Sequence, residues 1–447
     1  MWKLRQPVAT DVLEVPNSAD RPAIPPLLYK QKRTLSHLTI VFFLHLQNVK
    51  MESLSISNRA WSVHSVRSAK MAKKSAGNAG GVRLIFALLM MLIVHVQVTT
   101  ASWWLLGTPS VYQSTLELTP TSYKDHCKRL YYLVEKQREL CGLSQNVLST
   151  ISLGAKMGIS ECQSQFRSQR WNCSTFDEST SVFGGVLSIR SRERAYVYAV
   201  SSAGAAYAVT RACSRGEITE CGCDGKIRQR SAKGFEWGGC SEDITFGERF
   251  SKEFVDARED NQQAEGLMNL HNNEAGRRAI RSRMELVCKC HGVSGSCSMK
   301  VCWRKMAAFS EIGAALMERF EGAFQMTYRG GGVAISSSTS SRVAKKLKNK
   351  LLVVDKNMKK PTKKDLVYLD DSPDYCERNQ TLGVLGTKSR ICNKTSKAID
   401  GCSLLCCGRG YQTRWIDLEE KCNCRFVWCC HVQCDICKQR KELHLCN

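Results

Sequence analysis

Four cysteines, Cys288, Cys290, Cys297 and Cys302, bracket a single serine in the string Cys288-Lys-Cys-His-Gly-Val-Ser-Gly-Ser-Cys297. The inner pair is 7 residues apart and the outer pair 14. Such nesting suits a β-hairpin closed by two stacked cross-strand disulfides, with Val293, Ser294 and Gly295 at its tip. Glycines on both sides of a serine leave its hydroxyl open to an enzyme and permit unusual φ values. Three chemistries compete for Ser294. It can be a turn serine making a local hydrogen bond, a hydrolase nucleophile, or an acceptor of covalent modification. The hydrolase reading rests on half of a G-x-S-x-G elbow; it fails at Ser296, and no strand-elbow-helix context with an ordered Asp and His follows.

A second nested set lies near the C-terminus, in Cys422-Asn-Cys424-Arg-Phe-Val-Trp-Cys429-Cys430-His-Val-Gln-Cys434 and Cys437. The pairs 422/437, 424/434 and 429/430 close progressively inward and predict a second hairpin over 422–437, with adjacent cysteines bridged at its end. Phe426, Trp428 and Val432 then form an apolar tip. A tryptophan is ordinarily core, but a core role is hard to supply at the apex of a hairpin. Spacings such as Cys221-Gly-Cys223 and Cys434-Asp-Ile-Cys437 also suit zinc, yet an oxidising compartment and few histidines favour bridges, so no metal is expected.

The compartment follows from the cysteines and from a leader. All 24 cysteines fall between Cys127 and Cys446, an even number that reads as a disulfide framework made in the secretory pathway. Residues 71–101 read as a signal peptide: Lys73, Lys74 and Arg83 form the charged start, Leu84 to Val98 the apolar core, and Thr99-Thr100-Ala101 the small residues before a cut. The apolar core is too short for a span of about 20 apolar residues, so a mature chain beginning at Ser102 is expected to be secreted. Residues 1–70 carry no globular pattern and read as a disordered or gene-model extension, with translation expected to start at Met51 or Met71.

Residues 102–447 hold 52 Lys+Arg against 37 Asp+Glu, a net +15. Outside the cell the acidic partners of such a chain are sulfated polysaccharides and anionic membrane surfaces, not nucleic acid.

Helical spacing runs through Lys128–Leu140, Gln145–Arg170, Arg190–Arg211, Phe246–Asp260, Leu267–Val287 and Trp303–Phe324. In Arg190–Arg211 the small residues Ala195, Ala199, Ala203 and Ala206 permit close helix packing. These segments make a helical domain over 102–328 from which hairpin 288–302 protrudes. Residues 329–365 change to Gly330-Gly331-Gly332, a Ser/Thr run and a lysine-rich stretch, and read as a linker or long exposed loop. Residues 366–447 hold 12 cysteines in 82 residues and form a cystine-rich domain held by bridges rather than burial. The fold class is α+β, disulfide-rich.

Cys288 to Cys297, followed by Lys300-Val-Cys-Trp303, resembles the signature of the Wnt family of secreted signalling proteins. The resemblance covers nearly all of Ser102 to Asn447. It extends to Glu161-Cys-Gln-Ser-Gln-Phe-Arg through Arg170-Trp-Asn-Cys-Ser174, Phe254-Val-Asp-Ala-Arg-Glu259, Leu267-Met-Asn-Leu-His-Asn-Asn-Glu-Ala-Gly-Arg277, Asp365-Leu-Val-Tyr-Leu369 and Cys406-Cys-Gly-Arg-Gly410. Val200-Ser-Ser-Ala-Gly204, Ala208-Val-Thr-Arg-Ala-Cys213 and Asn393-Lys-Thr-Ser-Lys-Ala-Ile-Asp-Gly401 look most like the fourth numbered Wnt type. Val427 stands where many members have histidine, and the linker is longer and more basic than the family leads one to expect.

The resemblance implies that Ser294 bears palmitoleate, attached in the endoplasmic reticulum by the acyltransferase Porcupine. No other cofactor is implied. The implied partners are the carrier Wntless, the cysteine-rich domain of Frizzled receptors and a co-receptor of the lipoprotein-receptor-related type. The acylated thumb, with Ser294 and Val293, and the finger, with Phe426, Trp428, Cys429, Cys430 and Val432, would grip opposite sides of the Frizzled domain. Such a protein activates Wnt signalling in development by binding and is not an enzyme. It also implies the bridges Cys127–Cys141, Cys162–Cys173, Cys213–Cys221, Cys223–Cys240, Cys288–Cys302, Cys290–Cys297, Cys376–Cys407, Cys392–Cys402 and Cys406–Cys446, besides those of the finger: Cys422–Cys437, Cys424–Cys434 and Cys429–Cys430.

Asn172, Asn379 and Asn393 open N-glycosylation sequons. Residues 342–364 carry ten Lys+Arg against one acidic residue, Asp355, a run suited to heparan sulfate in the extracellular matrix. The rival classes are an extracellular serine hydrolase using Ser294 and a heparan-sulfate-binding matrix protein.

Overall fold

The computed structural model describes residues 102–119, 121–176, 181–229, 234–331, 333–338, 341–346, 348–428 and 431–447. The signal segment, the stretch before it and the Cys429–Cys430 pair lie outside these described residues. The helices are α1 (Pro109–Leu116), α2 (Tyr123–Arg129), α3 (Glu135–Cys141), α4 (Gln145–Gln165), α5 (Arg192–Ser214), α6 (Ile244–Val255), α7 (Ala264–Ser282), α8 (Phe309–Glu321) and the single turn α9 (Cys402–Leu405). Among the described residues no helix is long and apolar enough to cross a membrane.

Helix α5 is buried almost along its whole length, because small residues let three helices close on it. On its flank Gly204 meets α4, where an added Cβ would lie 2.4 Å from the Gly154 carbonyl oxygen. On α7, a Cβ at Gly276 would lie 1.9 Å from the Ala199 oxygen. Only glycine allows backbones so near each other. Helix α4 starts where the Ser144 hydroxyl accepts the Val147 amide at 3.2 Å, and it buries Val147, Leu148, Ile151 and Ala155, a helical stripe facing the core.

The strands are β1 (Glu236–Trp237), β2 (Met284–His291), β3 (Met299–Met306), β4 (Phe324–Arg329), β5 (Val333–Ser338), β6 (Ser341–Lys346), β7 (Lys350–Val353), β8 (Val367–Tyr368), β9 (Ile391–Cys392), β10 (Tyr411–Val427) and β11 (His431–Cys446). They form sheets of order β1-β3-β2, β7-β4-β8, β10-β11-β9 and the pair β5-β6.

Three expectations change. The predicted helix over Lys128–Leu140 is broken into α2 and α3 by a turn at residues 130–134. The helical patterns ending at Val287 and beginning at Trp303 give way to strands, since Met284 pairs with Met306 and Val287 with Trp303. Short apolar runs fit either period, and the cross-strand partner decides. The segment 329–365 is not a featureless linker. β7 pairs antiparallel with β4, with Met326 opposite Val353, and Leu351 and Val353 pack against the buried trio Met268, Met326 and Val367. A few alternating apolar residues suffice there because α7 supplies the other wall.

Beyond β8 the apolar core thins out. The buried cluster between α9, β9 and β11 is Cys392, Cys402, Leu405, Cys406 and Cys446, four half-cystines around one leucine. Bridges substitute for burial in this region.

Candidate functional site

The first hairpin, β2 and β3, pairs in continuous antiparallel register with Cys288 opposite Cys302, and those two cysteines are bonded. The expected second cross-strand bridge is arranged differently. Cys290 faces Lys300, while its bonded partner Cys297 precedes β3. The inner bridge therefore ties strand to loop and tightens the tip itself. Every residue from 289 to 300 is exposed, and Val293 is 88% exposed.

At the apex Ser294 has φ 55° and ψ 30°, and Gly295 follows with φ 77°. The left-handed region is costly for a residue with a Cβ and free for glycine. Gly292 permits the close turn, since a Cβ there would fall 2.3 Å from the Ser296 hydroxyl. The Gly295 and Ser296 amides bond back to the Gly292 and Val293 carbonyls at 3.1 and 3.2 Å. Among the described residues the Ser294 hydroxyl has no hydrogen-bond partner, and so no histidine or carboxylate to activate it.

The base of this thumb is held by two bridges that the resemblance implied and by a strand and side chains, β1, Ser241 and Glu242, that sequence reasoning missed. β1 adds a parallel strand, with Glu236 opposite Val301 and Trp237 opposite Cys302. Cys213–Cys221 and Cys223–Cys240 clamp the loop that carries it. Glu242 accepts Arg211 Nη1 at 2.9 Å through one oxygen and the Met306 amide at 2.5 Å through the other, and its own amide donates to the Arg304 carbonyl. The Ser241 hydroxyl accepts the Arg304 amide. The only sequence signal was Trp237-Gly-Gly-Cys240, a tight turn beside a half-cystine.

The second hairpin is longer than the expected 422–437, because β10 and β11 pair from Tyr411 opposite Cys446 to Val427 opposite His431. A bulge between Cys422 and Arg425 shifts the register, and Asn423 within it takes φ 47°. Cys422–Cys437 spans the strands below the bulge and Cys424–Cys434 bonds at it. Toward the end Phe426 stands opposite Val432, and Phe426, Trp428 and Val432 are 74%, 90% and 60% exposed. Three apolar side chains are thus left in water at the end of a two-stranded arm.

The remaining bonded pairs are Cys127–Cys141, Cys162–Cys173, Cys376–Cys407, Cys392–Cys402 and Cys406–Cys446. Cys392, Cys406 and Cys446 bring their sulfurs within 4.8 Å of one another, but each is already in a disulfide and offers no thiolate to a cation. At the sequons, Asn379 and Asn393 are exposed and Asn172 is half-buried. In each the hydroxyl two residues on donates to the asparagine Oδ1, from Ser174, Thr381 and Thr395.

The titrating groups that hold the two regions together lie away from both tips. The Arg190 guanidinium forks onto Asp370 at 2.7 and 2.8 Å and holds its carboxyl below the usual carboxylate range. Asn272 brackets Val367, donating to its carbonyl and accepting its amide at 2.9 Å each.

A family model described as the wnt family matches residues 129–447. Protein Wnt-2b-A of Xenopus laevis is 44% identical over 366 residues, covering 81% of this chain and 96% of that protein. Protein Wnt-5a of Homo sapiens is 44% identical over 383 residues, covering 83% and 96%. Equal identity to two types singles out neither, and the likeness to the fourth numbered type rests on the strings quoted above. Among solved structures, a chain of human WLS in complex with WNT8A is 36% identical, with a TM-score of 0.49, covering 68% of this chain and 95% of that one. Family members are signalling ligands rather than enzymes, and the hydrolase and matrix readings gain nothing from the geometry of Ser294. With the match spanning most of the chain and every signature string inside it, this protein belongs to the Wnt family and is a secreted signalling ligand.

Proposed function

We propose that this ligand engages the cysteine-rich domain of Frizzled receptors through a palmitoleoyl chain on Ser294 and through the apolar finger tip of Phe426, Trp428 and Val432, with the Cys429–Cys430 pair at its end. The observation that carries the reading is the Ser294 hydroxyl at an exposed apex, without a partner among the described residues, where an acyltransferase such as Porcupine can reach it. The bridges below it make the tip rigid, so little ordering entropy is lost on binding.

A 16-carbon chain offers about 0.8 kcal/mol per buried methylene, so a groove that sheathes it supplies most of the affinity. One such chain holds a bilayer only weakly, with an association constant on the order of 10⁴ M⁻¹. The protein therefore needs a cover in transit, the role assigned here to Wntless, and can then exchange onto a receptor. Bringing Frizzled together with a lipoprotein-receptor-related co-receptor would transmit the signal by proximity. Heparan sulfate, held by Lys345, Lys346 and Lys348 of the basic stretch 342–364, would confine the ligand to the matrix near its source, and glycans on Asn172, Asn379 and Asn393 would serve folding and export.

Mass spectrometry of the secreted peptide spanning Cys290 to Cys297 tests the lipid, and binding of Ser294→Ala protein to an isolated Frizzled cysteine-rich domain tests its role. An adduct of palmitoleate mass and a loss of binding of at least a hundredfold are expected. A bare serine on fully active protein, or undiminished binding by the variant, overturns the reading.

A further inference from the structure

The small apolar cluster beside α7 opens to solvent through a cavity of about 690 Å³ that neither hairpin tip uses. Its floor includes Met326, Leu351, Val353 and Val367. Its volume lies within the range of small-molecule sites, about 300–1,000 Å³. Around it stand Lys350, Lys356 and Lys360, with Asp355 the one acidic side chain in the lining. Asp355 is occupied locally, its Oδ1 accepting the Asn357 amide at 2.9 Å. Among the described residues none of the three lysines has an ion-pair partner. His271, also in the lining, is shared with the Asp365 carbonyl at 3.0 Å, and burial lowers its pKa so that it stays neutral at neutral pH.

An apolar floor with unpaired ammonium groups beside it is complementary to a molecule with one hydrocarbon chain and one anionic head. A sulfated polysaccharide would use the lysines and leave the floor wet. A neutral lipid would use the floor and leave the lysines idle. We propose that this cavity is a binding site for a single-chain anionic amphiphile of the long-chain fatty-acid class, with the chain over Met326, Leu351 and Val353 and the carboxylate among Lys350, Lys356 and Lys360. The site is separate from Ser294 and noncovalent, so the ligand can carry or sense a free fatty acid independently of any lipid attached at the thumb.

The test uses the full secreted chain carrying Ser294→Ala, so that no adduct at that serine competes, and cis-parinaric acid as fluorescent probe. One saturable site per chain is expected, displaced by oleate and displaced far less well by oleyl alcohol. The double variant Lys356→Glu, Lys360→Glu changes two exposed side chains and should fold. Reversing two rim charges should weaken probe binding about tenfold, and added salt should weaken it further. No saturable binding, or equal affinity in the charge-reversed protein, overturns the proposal. Displacement by a heparin oligosaccharide but not by oleate assigns the lysines to sulfate and also overturns it. Probe binding that vanishes as the protein dimerises with concentration gives the cavity to a second copy instead.

Discussion

Glu242 joins the thumb to the helical core through Arg211, whose Nη1 lies 2.9 Å from its Oε1. The two sit 31 residues apart, and while Arg211 keeps part of its side chain in water, that of Glu242 is 5% exposed. The other carboxylate oxygen accepts the Met306 amide at the foot of β3. One buried carboxylate thus ties the foot of β3 to α5.

The asymmetry of exposure sets an unequal mutational outcome. Glu242→Ala leaves the buried Met306 amide and the Arg211 charge without a partner, and should destabilise the protein by about 2–3 kcal/mol. Arg211→Ala leaves the buried Glu242 carboxylate with only the Met306 amide and should cost more, about 3–5 kcal/mol. Denaturant unfolding of both purified variants checks this, and a loss under about 1 kcal/mol in each would show that Glu242 does not hold the hairpin foot.

The thumb apex makes a local prediction. Gly295 has φ 77° with nothing within 4 Å of an added Cβ, so Gly295→Ala meets no neighbour and the penalty is backbone strain alone, about 1 kcal/mol. The expected result is a reshaped tip with reduced acyl occupancy at Ser294 by mass spectrometry, and a melting temperature close to that of the parent. Full occupancy would mean that the acyltransferase does not read the left-handed turn.

How much of this was legible depends on the kind of contact. Cys288, Cys302 and the glycines around Ser294 announce a hairpin because a bridge and a turn are encoded within 15 residues. The brace at Glu242 is not legible, since its partners Arg211 and Met306 lie 31 and 64 residues away and nothing in its own neighbourhood marks it as buried. Met284 to Val287 reads as a continuation of α7 because four apolar-rich residues fit a helix as well as a strand. Lys350 to Val353 hides in a lysine-rich stretch whose composition suggests solvent, although the alternate residues Leu351 and Val353 face a core.

At the finger, exposure separates affinity from stability. Trp428 is 90% exposed and supports nothing in the free protein, so Trp428→Ala should leave unfolding unchanged. A central aromatic anchor commonly accounts for about 2 kcal/mol or more of binding, so affinity for a Frizzled cysteine-rich domain should fall at least thirtyfold. A destabilised variant with normal affinity would place Trp428 in the fold instead of the interface.

Arg390 adds a third contact across the seam between the helical and cystine-rich regions. Its Nη1 donates to the carbonyls of Gln169 and Arg170 at 2.7 Å each, and Nη2 donates to that of Arg167 at 2.8 Å. These carbonyls follow the end of α4, where acceptors lack helical partners. Lysine's three donors radiate from one compact nitrogen and do not reach three carbonyls arranged around a planar fork. Arg390→Lys should therefore cost about 1.5–3 kcal/mol and speed proteolysis after Arg167 or Arg170, whereas an unchanged digestion pattern would show that Arg190–Asp370 and Asn272–Val367 hold the seam without it.

A pH signature follows from Glu161, a buried carboxyl on α4 whose one hydrogen-bond partner among the described residues is Gln165, at 2.8 Å. Burial raises its pKa above the ordinary glutamate range, more than the Gln165 bond lowers it. The folded state therefore holds its proton more tightly than the unfolded chain. Glu161 is protonated in both states below the unfolded pKa and contributes most there, and that contribution is lost as pH rises through the folded pKa. Glu161→Gln keeps the shape and an oxygen for Gln165 while removing the charge. It should match the parent in melting temperature near pH 4 and exceed it at pH 7.5. Differential scanning calorimetry across that range gives the comparison, and a variant less stable than the parent at pH 7.5 would mean that the buried carboxylate is compensated by a partner after all.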